Sequence, residues 1–249
     1  MSRAGVLVTG GSRGIGRAIV GELVAAGYPC VFTWVQDQAA AEATLAAVRE
    51  RHPGATVESL QLDVRDPAAV DAVVDEATER LGTIGGLVNN AAIARNNAAV
   101  MMSNEEWDDV LRTDLFGPFY VARALLMHFL SHRDGRIVNI SSVAAGGCSG
   151  GVNYAAAKAG LEGMTRTLAR EYGGRGVRCN AVSVGYVPTD LTAASLSARL
   201  ESYWTEYCPL RRVATGEEVA RVVRFLISDD SSFVNGEVLS VAGGLTYSP

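Results

Sequence analysis

Histidine, cysteine, surplus positive charge and long apolar runs are all in short supply. The 249 residues hold three histidines and four cysteines. Cys30, Cys148, Cys179 and Cys208 are scattered, with no C-x-x-C and no zinc-like spacing, so free thiols in a reducing compartment are expected. His128 and His132 stand four apart with no third ligand nearby. They read as a solvated helix end rather than a metal site. Lys and Arg number 22 against 27 Asp and Glu, a net charge of −5. That speaks against a nucleic-acid binder working by bulk electrostatics. No uninterrupted apolar stretch reaches the roughly 18 residues of a membrane span. A strand-like run begins at Ala4, which leaves no room for a secretory leader. The expectation is a cytoplasmic protein with neither membrane nor nucleic acid as partner.

What is present is a large apolar fraction, 48%, with 20% charged residues, which suits a globular chain with a sizeable core. No repeat, low-complexity tract or linker appears, so residues 1–249 are read as one domain. Short β-branched runs start at Gly5, Cys30, Val57, Gly86, Gly135, Val177 and Val238. Helical patterns cover Arg17 to Ala26, Gln38 to Arg51, Pro67 to Leu81, Tyr154 to Tyr172 and Thr215 to Ser228. A long helix opens at the capping box Ser103-Asn-Glu-Glu106 and runs past Asp114 towards His132, with a bend near Gly117-Pro118. Strands alternating with helices predict an α/β doubly wound Rossmann fold: a seven-stranded parallel sheet with helices on both faces. Ligands then bind past the carboxyl ends of the strands.

Two patterns at those ends carry chemistry. Gly10-Gly-Ser-Arg-Gly-Ile-Gly16 lies between the first strand and the first helix. Glycines there admit positive φ and let backbone approach a pyrophosphate, and the helix N-terminus offers free N–H groups. A NAD site usually places an acid about 20 residues past the glycines. Nineteen beyond Gly16 stands Val35, with Asp37 two further on, while Arg13 inside the loop suits a 2′-phosphate. The cofactor expected is NADPH. The second pattern is Tyr154-Ala-Ala-Ala-Lys158, whose two side chains share a helix face one turn apart. An ammonium beside a phenol favours the phenolate, which would lower the phenol pKa towards neutrality and suit a general acid/base. Asp63 ends the third strand, placed either to bond an adenine amino group or to cap the helix at Pro67.

The chain resembles the short-chain dehydrogenase/reductase family over essentially its whole length. The likeness rests on Thr9-Gly-Gly-Ser-Arg-Gly-Ile-Gly16, Leu62-Asp-Val64, Asn89-Asn-Ala-Ala92, Ser142, Tyr154-x-x-x-Lys158, Asn180-Ala-Val182 and Gly185-x-x-x-Thr189. It is most similar to the 3-oxoacyl-acyl-carrier-protein reductases. The resemblance implies that Tyr154 protonates a carbonyl oxygen as hydride arrives. Ser142 would hold that oxygen, and Lys158 would bond the nicotinamide ribose. It implies cofactor contacts from Gly10, Ser12, Arg13, Gly14, Ile15, Gly16, Asp63, Val64, Asn90, Ala91, Tyr154, Lys158, Val187 and Thr189. It also implies a homotetramer or dimer.

Several positions depart from the family pattern. The fourth catalytic member, an asparagine in the family, reads Asp114, and a carboxylate there would raise the Lys158 pKa and alter the proton relay. N-N-A-G reads Asn89-Asn-Ala-Ala92, and the usual Pro-Gly reads Val184-Gly185. Ser142 and Tyr154 are 12 positions apart, one fewer than usual, which leaves Ser141 as an alternative donor. The expected substrate is a 3-oxoacyl thioester, bound to a carrier protein whose acidic surface would meet Arg133, Arg136, Arg166, Arg170 and Arg175. A free ketone or alcohol is the alternative, for which Tyr203, Trp204 and Tyr207, in a stretch with Leu196 and Leu200, would form an aromatic lid; packing of a surface helical hairpin is the other use of these aromatics. A nucleotide-binding regulator without catalysis is the third reading, resting on Asp114.

Overall fold

The structure is a computed structural model that describes residues 3–189 and 197–247. Seven strands among them form one parallel sheet: β1 (Gly5–Val8), β2 (Cys30–Trp34), β3 (Val57–Gln61), β4 (Ile84–Asn89), β5 (Gly135–Ser142), β6 (Val177–Val184) and β7 (Val238–Val241). Their order is β3-β2-β1-β4-β5-β6-β7. The helices are α1 (Gly14–Ala25), α2 (Gln38–Arg51), α3 (Pro67–Leu81), α4 (Asn104–Leu111), α5 (Gly117–His132), α6 (Val152–Tyr172), α7 (Ser197–Tyr207) and α8 (Gly216–Ile227). The expected architecture is therefore present. The largest boundary difference lies at α1, which starts inside the glycine loop; β5 and β6 each run two residues longer than their apolar runs suggest, and β4 and α6 each start two residues earlier.

Alternation of side chains along each strand sorts the core onto two faces. Val6, Val8 and Phe32 meet Ile19 and Leu23 of α1 and Val219, Val223 and Leu226 of α8. Leu7, Leu87 and Ile137 meet Val73 of α3, Leu125 and Phe129 of α5 and Leu168 of α6. Both layers are buried, so the central strands read as continuous apolar runs. No helix of the described residues is long and apolar enough to cross a membrane.

Two local features set up the site. The chain order reverses direction across the sheet at β1, between β2 and β4, and a crevice opens past the carboxyl ends of β1 and β4. The long helix from Ser103 is interrupted by a π-helical segment, Arg112–Phe116, before Gly117 and Pro118 restart the α-helix. A residue inserted into the helical ladder re-aims the side chains around it, and such bulges recur at functional sites. Asp114 sits in this one. Gly117 is needed beside it, since a β-carbon there would lie 2.6 Å from Cγ2 of Val64.

Candidate active site

The loop after β1 is shaped by backbone that side chains would block. Gly10 and Gly14 adopt φ of 67° and 53°. A β-carbon on Gly16 would stand 2.1 Å from the Gly10 carbonyl oxygen. Arg13 occupies the N-cap of α1 in extended conformation, and its side chain makes no capping hydrogen bond. The first N–H groups of α1 therefore meet no capping side chain, in a cradle that bulk cannot enter. Asn90, just past β4, holds this loop from the other side. Its Nδ2 donates to the carbonyl oxygens of Thr9 (3.0 Å) and Gly10 (2.9 Å). Thr9 Oγ1 in turn accepts from the N–H groups of Asn90 and Ala91 at 3.0 and 3.1 Å. The side chain of Asn90 thus shapes the glycine loop. Beside the loop a cavity of about 360 Å³ is lined by Gly14, Val187, Thr189, Thr215 and Gly216. Ser12 is buried and its carbonyl oxygen accepts from Thr44 Oγ1 at 2.8 Å, tying the loop to α2.

Ser142, Tyr154, Lys158 and Asp114 come together past the ends of β5 and β4. Ser142 closes β5 and accepts from Ala144 N–H at 3.2 Å, and its hydroxyl lies near enough to the Tyr154 phenol to favour the phenolate. Ser141 points the other way: it is 2% exposed and donates to Glu162 at 2.9 Å. The geometry therefore favours Ser142 over its neighbour. Lys158 is 2% exposed, donates to the Ile140 carbonyl oxygen at 3.1 Å and lies 5.3 Å from the centre of the Tyr154 ring. Its Nζ also stands 3.2 Å from Oδ2 of Asp114, which is wholly buried. The other oxygen of Asp114 accepts from Ile93 N–H at 2.9 Å.

The electrostatics correct one expectation. Lys158 does pull the phenol pKa down, as does Ser142, but burial and the Asp114 charge push it up, and the net direction is upward. For Lys158, burial alone would lower the ammonium pKa, and Asp114 with Tyr154 reverses it to a net rise. Burial likewise raises the Asp114 carboxyl pKa, against the opposing pull of Lys158 and Ile93.

Other predicted residues fall around these two centres. Asp63 does not cap α3; Asp66 does, accepting from the N–H groups of Ala68 and Ala69. The Asp63 carboxylate instead meets Arg65 at 2.6 Å, which holds its pKa down. Val64 is buried under the π-helical turn. Arg13 and Asp37 form an exposed ion pair at 3.6 Å, and Asp37 also caps α2 through Ala40 N–H. Asp37 is thereby turned towards its own helix. Thr189 packs within reach of Gly14, whose positive φ a residue with a side chain rarely adopts, and Val187 is buried. Asn153 was not anticipated. It is fully buried, donates to the carbonyl oxygens of Arg95 and Glu106 at 3.0 Å each, and accepts from Tyr154 N–H at 2.8 Å. The only hint in the sequence was an amide beside the tyrosine.

The lid expectation divides. Trp204 is 3% exposed and fills the hollow over Gly185, where a β-carbon would lie 2.7 Å from the indole. It is core, not lid. Tyr203 stacks on Tyr207 at 4.8 Å and meets Tyr247 at 6.5 Å. Leu196 and the side chain of Leu200 lie outside the described residues. Of the arginines expected to face a carrier, Arg136 is held by Asp134 and Asp229 at 2.7 and 2.8 Å. Arg166 pairs with Glu162 and Arg175 covers the Tyr172 ring. His128 Nε2 accepts from Ile84 N–H at 3.2 Å, a structural use of that ring.

Comparison with known proteins bears on the family and the fold. A family model described as enoyl-(acyl carrier protein) reductase matches residues 10–246. The 3-oxoacyl-[acyl-carrier-protein] reductase of Escherichia coli (strain K12) is 40% identical over 96% of each chain. That of Staphylococcus aureus (strain Mu50 / ATCC 700699) is 38% identical over the same shares. Among solved structures, a levodione reductase superposes with a TM-score of 0.92 at 36% identity, covering 96% of each chain.

Proposed function

Since the chain belongs to the short-chain dehydrogenase/reductase family and is an oxidoreductase of ketone and hydroxyl groups, we propose that it reduces the ketone of a 3-oxoacyl thioester with NADPH. The observation that carries this is the convergence of the Ser142 and Tyr154 hydroxyls beside Lys158, next to the glycine cradle. Two hydroxyl donors meeting at one point suit an oxygen that gains negative charge, because donors fixed where charge develops lower the barrier.

The residues present fit a dinucleotide. Gly10, Gly14 and Gly16 leave room that any β-carbon would fill, and the uncapped start of α1 suits a pyrophosphate. Ser12 and Ile15 would line the same cradle. Asp63 with the Val64 N–H would meet the adenine, Ala91 would lie along the cofactor, and Val187 and Thr189 would hold its carboxamide end. The absence of an acid at the end of β2 and the presence of Arg13 support the 2′-phosphate. When bound, the dinucleotide supplies the hydride. Tyr154 then gives its proton to the substrate oxygen, Ser142 orients that oxygen, and Lys158 anchors the ribose side. Asn153 fixes the start of α6 and so the direction of the phenol.

The relatives named for 3-oxoacyl-[acyl-carrier-protein] substrates support a carrier-bound thioester, and the exposed Arg133 and Arg170 offer charge for it. Exposed Phe116, Phe119 and Met127 support a homo-oligomer, tetramer or dimer, and the composition supports a cytoplasmic setting. A second reading, a free cyclic or aromatic ketone, draws on the levodione reductase likeness and on the Tyr203–Tyr207–Tyr247 cluster. The test offers NADPH with a 3-oxoacyl thioester, a 2-enoyl thioester and a panel of free ketones, to wild type and Tyr154→Phe. Turnover of the 3-oxoacyl thioester that Tyr154→Phe abolishes is the expected result. Turnover confined to the enoyl thioester, or to free ketones, overturns it.

A further inference from the structure

Asp114 presents a carboxylate where the resemblance expects an amide, and the structure gives that carboxylate a specific partner. It is completely buried, reaches Lys158 Nζ at 3.2 Å and is steadied by Ile93 N–H at 2.9 Å. Lys158 is as deeply buried and is fixed again by the Ile140 carbonyl oxygen at 3.1 Å. A carboxylate and an ammonium this close act on a third group largely as a dipole. Their combined pull on a nearby phenolate is far weaker than that of a bare cation. Tyr154 is that third group, 5.3 Å from Nζ at its ring centre.

We propose that Asp114 is a positioning residue that, by pairing with Lys158, keeps Tyr154 protonated well above neutral pH and sets separate pH windows for the two directions of the reaction. The inference rests on Tyr154 being the proton donor. In reduction the carbonyl carbon takes hydride and the oxygen takes the Tyr154 proton, leaving a phenolate that solvent reprotonates. The reverse direction needs that phenolate at the outset, to accept the hydroxyl proton of the alcohol as hydride leaves carbon. A protonated phenol therefore sustains ketone reduction to alkaline pH and delays alcohol oxidation to the same pH. The overall equilibrium is untouched.

The groups that act on Tyr154 come from every element packed around it. They are Lys158 on its own helix, Asp114 on the π-helical segment, Ser142 at the end of β5, and Cys148 in the loop before α6. Lys158 and Ser142 favour the phenolate, whereas Asp114 and Cys148 oppose it, as does burial. Of the two opposing side chains, only Asp114 also neutralises Lys158 directly.

The experiment follows Tyr154 in two ways in Asp114→Asn and Asp114→Glu. Ultraviolet titration of tyrosinate in the cofactor-free protein, read as the difference from Tyr154→Phe in each background, reports ionisation without turnover. The pH profiles of reduction and oxidation report its effect on rate. In Asp114→Asn, Tyr154 is expected to ionise at least about one pH unit lower. Neutral-pH alcohol oxidation relative to its alkaline plateau then rises roughly tenfold, one unit being a tenfold change in phenolate. Asp114→Glu is expected to keep the wild-type profile even where its rate falls. An unmoved or upward-shifted ionisation in Asp114→Asn overturns the inference. So does a lower melting temperature with the profile unchanged, which marks a structural role alone; if Asp114→Asn does not fold, Asp114→Ser is read in its place. Activity retained in Tyr154→Phe would instead sink the proposed function, so the two failures are distinguishable.

Discussion

The Gly10 carbonyl oxygen and the α-carbon of Gly16 approach so closely that a single added methyl would lie 2.1 Å from that oxygen. Backbone cannot yield there without opening the loop that Asn90 clasps. Gly16→Ala is expected to cost about 1–3 kcal/mol, the usual range for overpacking. It should weaken NADPH binding along with stability. Thermal melting and fluorescence titration with NADPH check both, and unchanged binding would contradict the cradle assignment.

Tyr154→Phe removes the proton donor and leaves the ring in place. General acid catalysis contributes typically about 10²–10⁴-fold, so kcat should fall by that factor while NADPH still binds. Ser142→Ala should cost about 10²–10³ in kcat, the range for a lost donor at a developing oxyanion. Ser141→Ala, which only loses its bond to Glu162, should leave kcat near the wild-type value.

Arg13→Ala tests the cofactor preference. A hydrogen bond to a charged group contributes about 1.5–3 kcal/mol, which converts to roughly 10- to 100-fold in affinity. KM for NADPH should rise by that factor with KM for NADH little changed. An equal rise for both would show that Arg13 serves the loop and not the 2′-phosphate.

Removing one member of the buried Asp114–Lys158 pair strands the other. Lys158→Met should destabilise by about 3–5 kcal/mol, the cost of an unpaired buried charge. The penalty should shrink as pH falls, because burial already raises the Asp114 pKa and a neutral carboxyl needs no counter-ion. The double variant Asp114→Asn/Lys158→Met should recover melting temperature without recovering activity. Denaturant unfolding at two pH values checks the first point and an activity assay the second.

His128 provides a pH dependence remote from the site. Its ring accepts from Ile84 N–H, and burial followed by the His132 charge holds its pKa below the usual value. A lowered folded pKa means that the contribution is complete above about pH 6.5. It is lost as pH falls through the lower folded value. His128→Gln, which can still accept through its amide oxygen, should flatten the change in melting temperature between about pH 7.5 and about pH 5.5. An identical slope in both proteins would refute this.

Much of this was legible in the residues. The apolar runs make the central strands legible because a doubly covered parallel sheet leaves no polar face to confuse the pattern, whereas the edge strands β3 and β7 are only partly buried. The glycine loop and Tyr154–Lys158 were legible because their spacing alone places them at strand ends and on one helix face. The sign of the Tyr154 pKa shift was not legible. It depends first on how deeply the phenol is buried, and then on Asp114 arriving from 40 positions upstream, through a π-helical turn that no periodicity announces. Asn153 escaped for a related reason, since its partners Arg95 and Glu106 are distant carbonyl groups without side-chain signature. For Trp204 the sequence leaves lid and packing open, because an aromatic on an amphipathic helix looks alike whether it faces ligand or a hollow made by Gly185.

Inside the sheet, Asn89 Nδ2 donates to Asn139 Oδ1 at 2.8 Å, and Asn139 Nδ2 donates to Thr165 Oγ1 at 2.8 Å, all three residues being buried. A slip of β5 by a single residue would turn Asn139 to the opposite face and strand these donors away from water. The amide ladder therefore works as an alignment key. Ser142 stands three residues beyond it on the same strand, and Lys158 two turns before Thr165 on the same helix. The two halves of the proposed catalytic apparatus are thus indexed to each other by polar groups set apart from it.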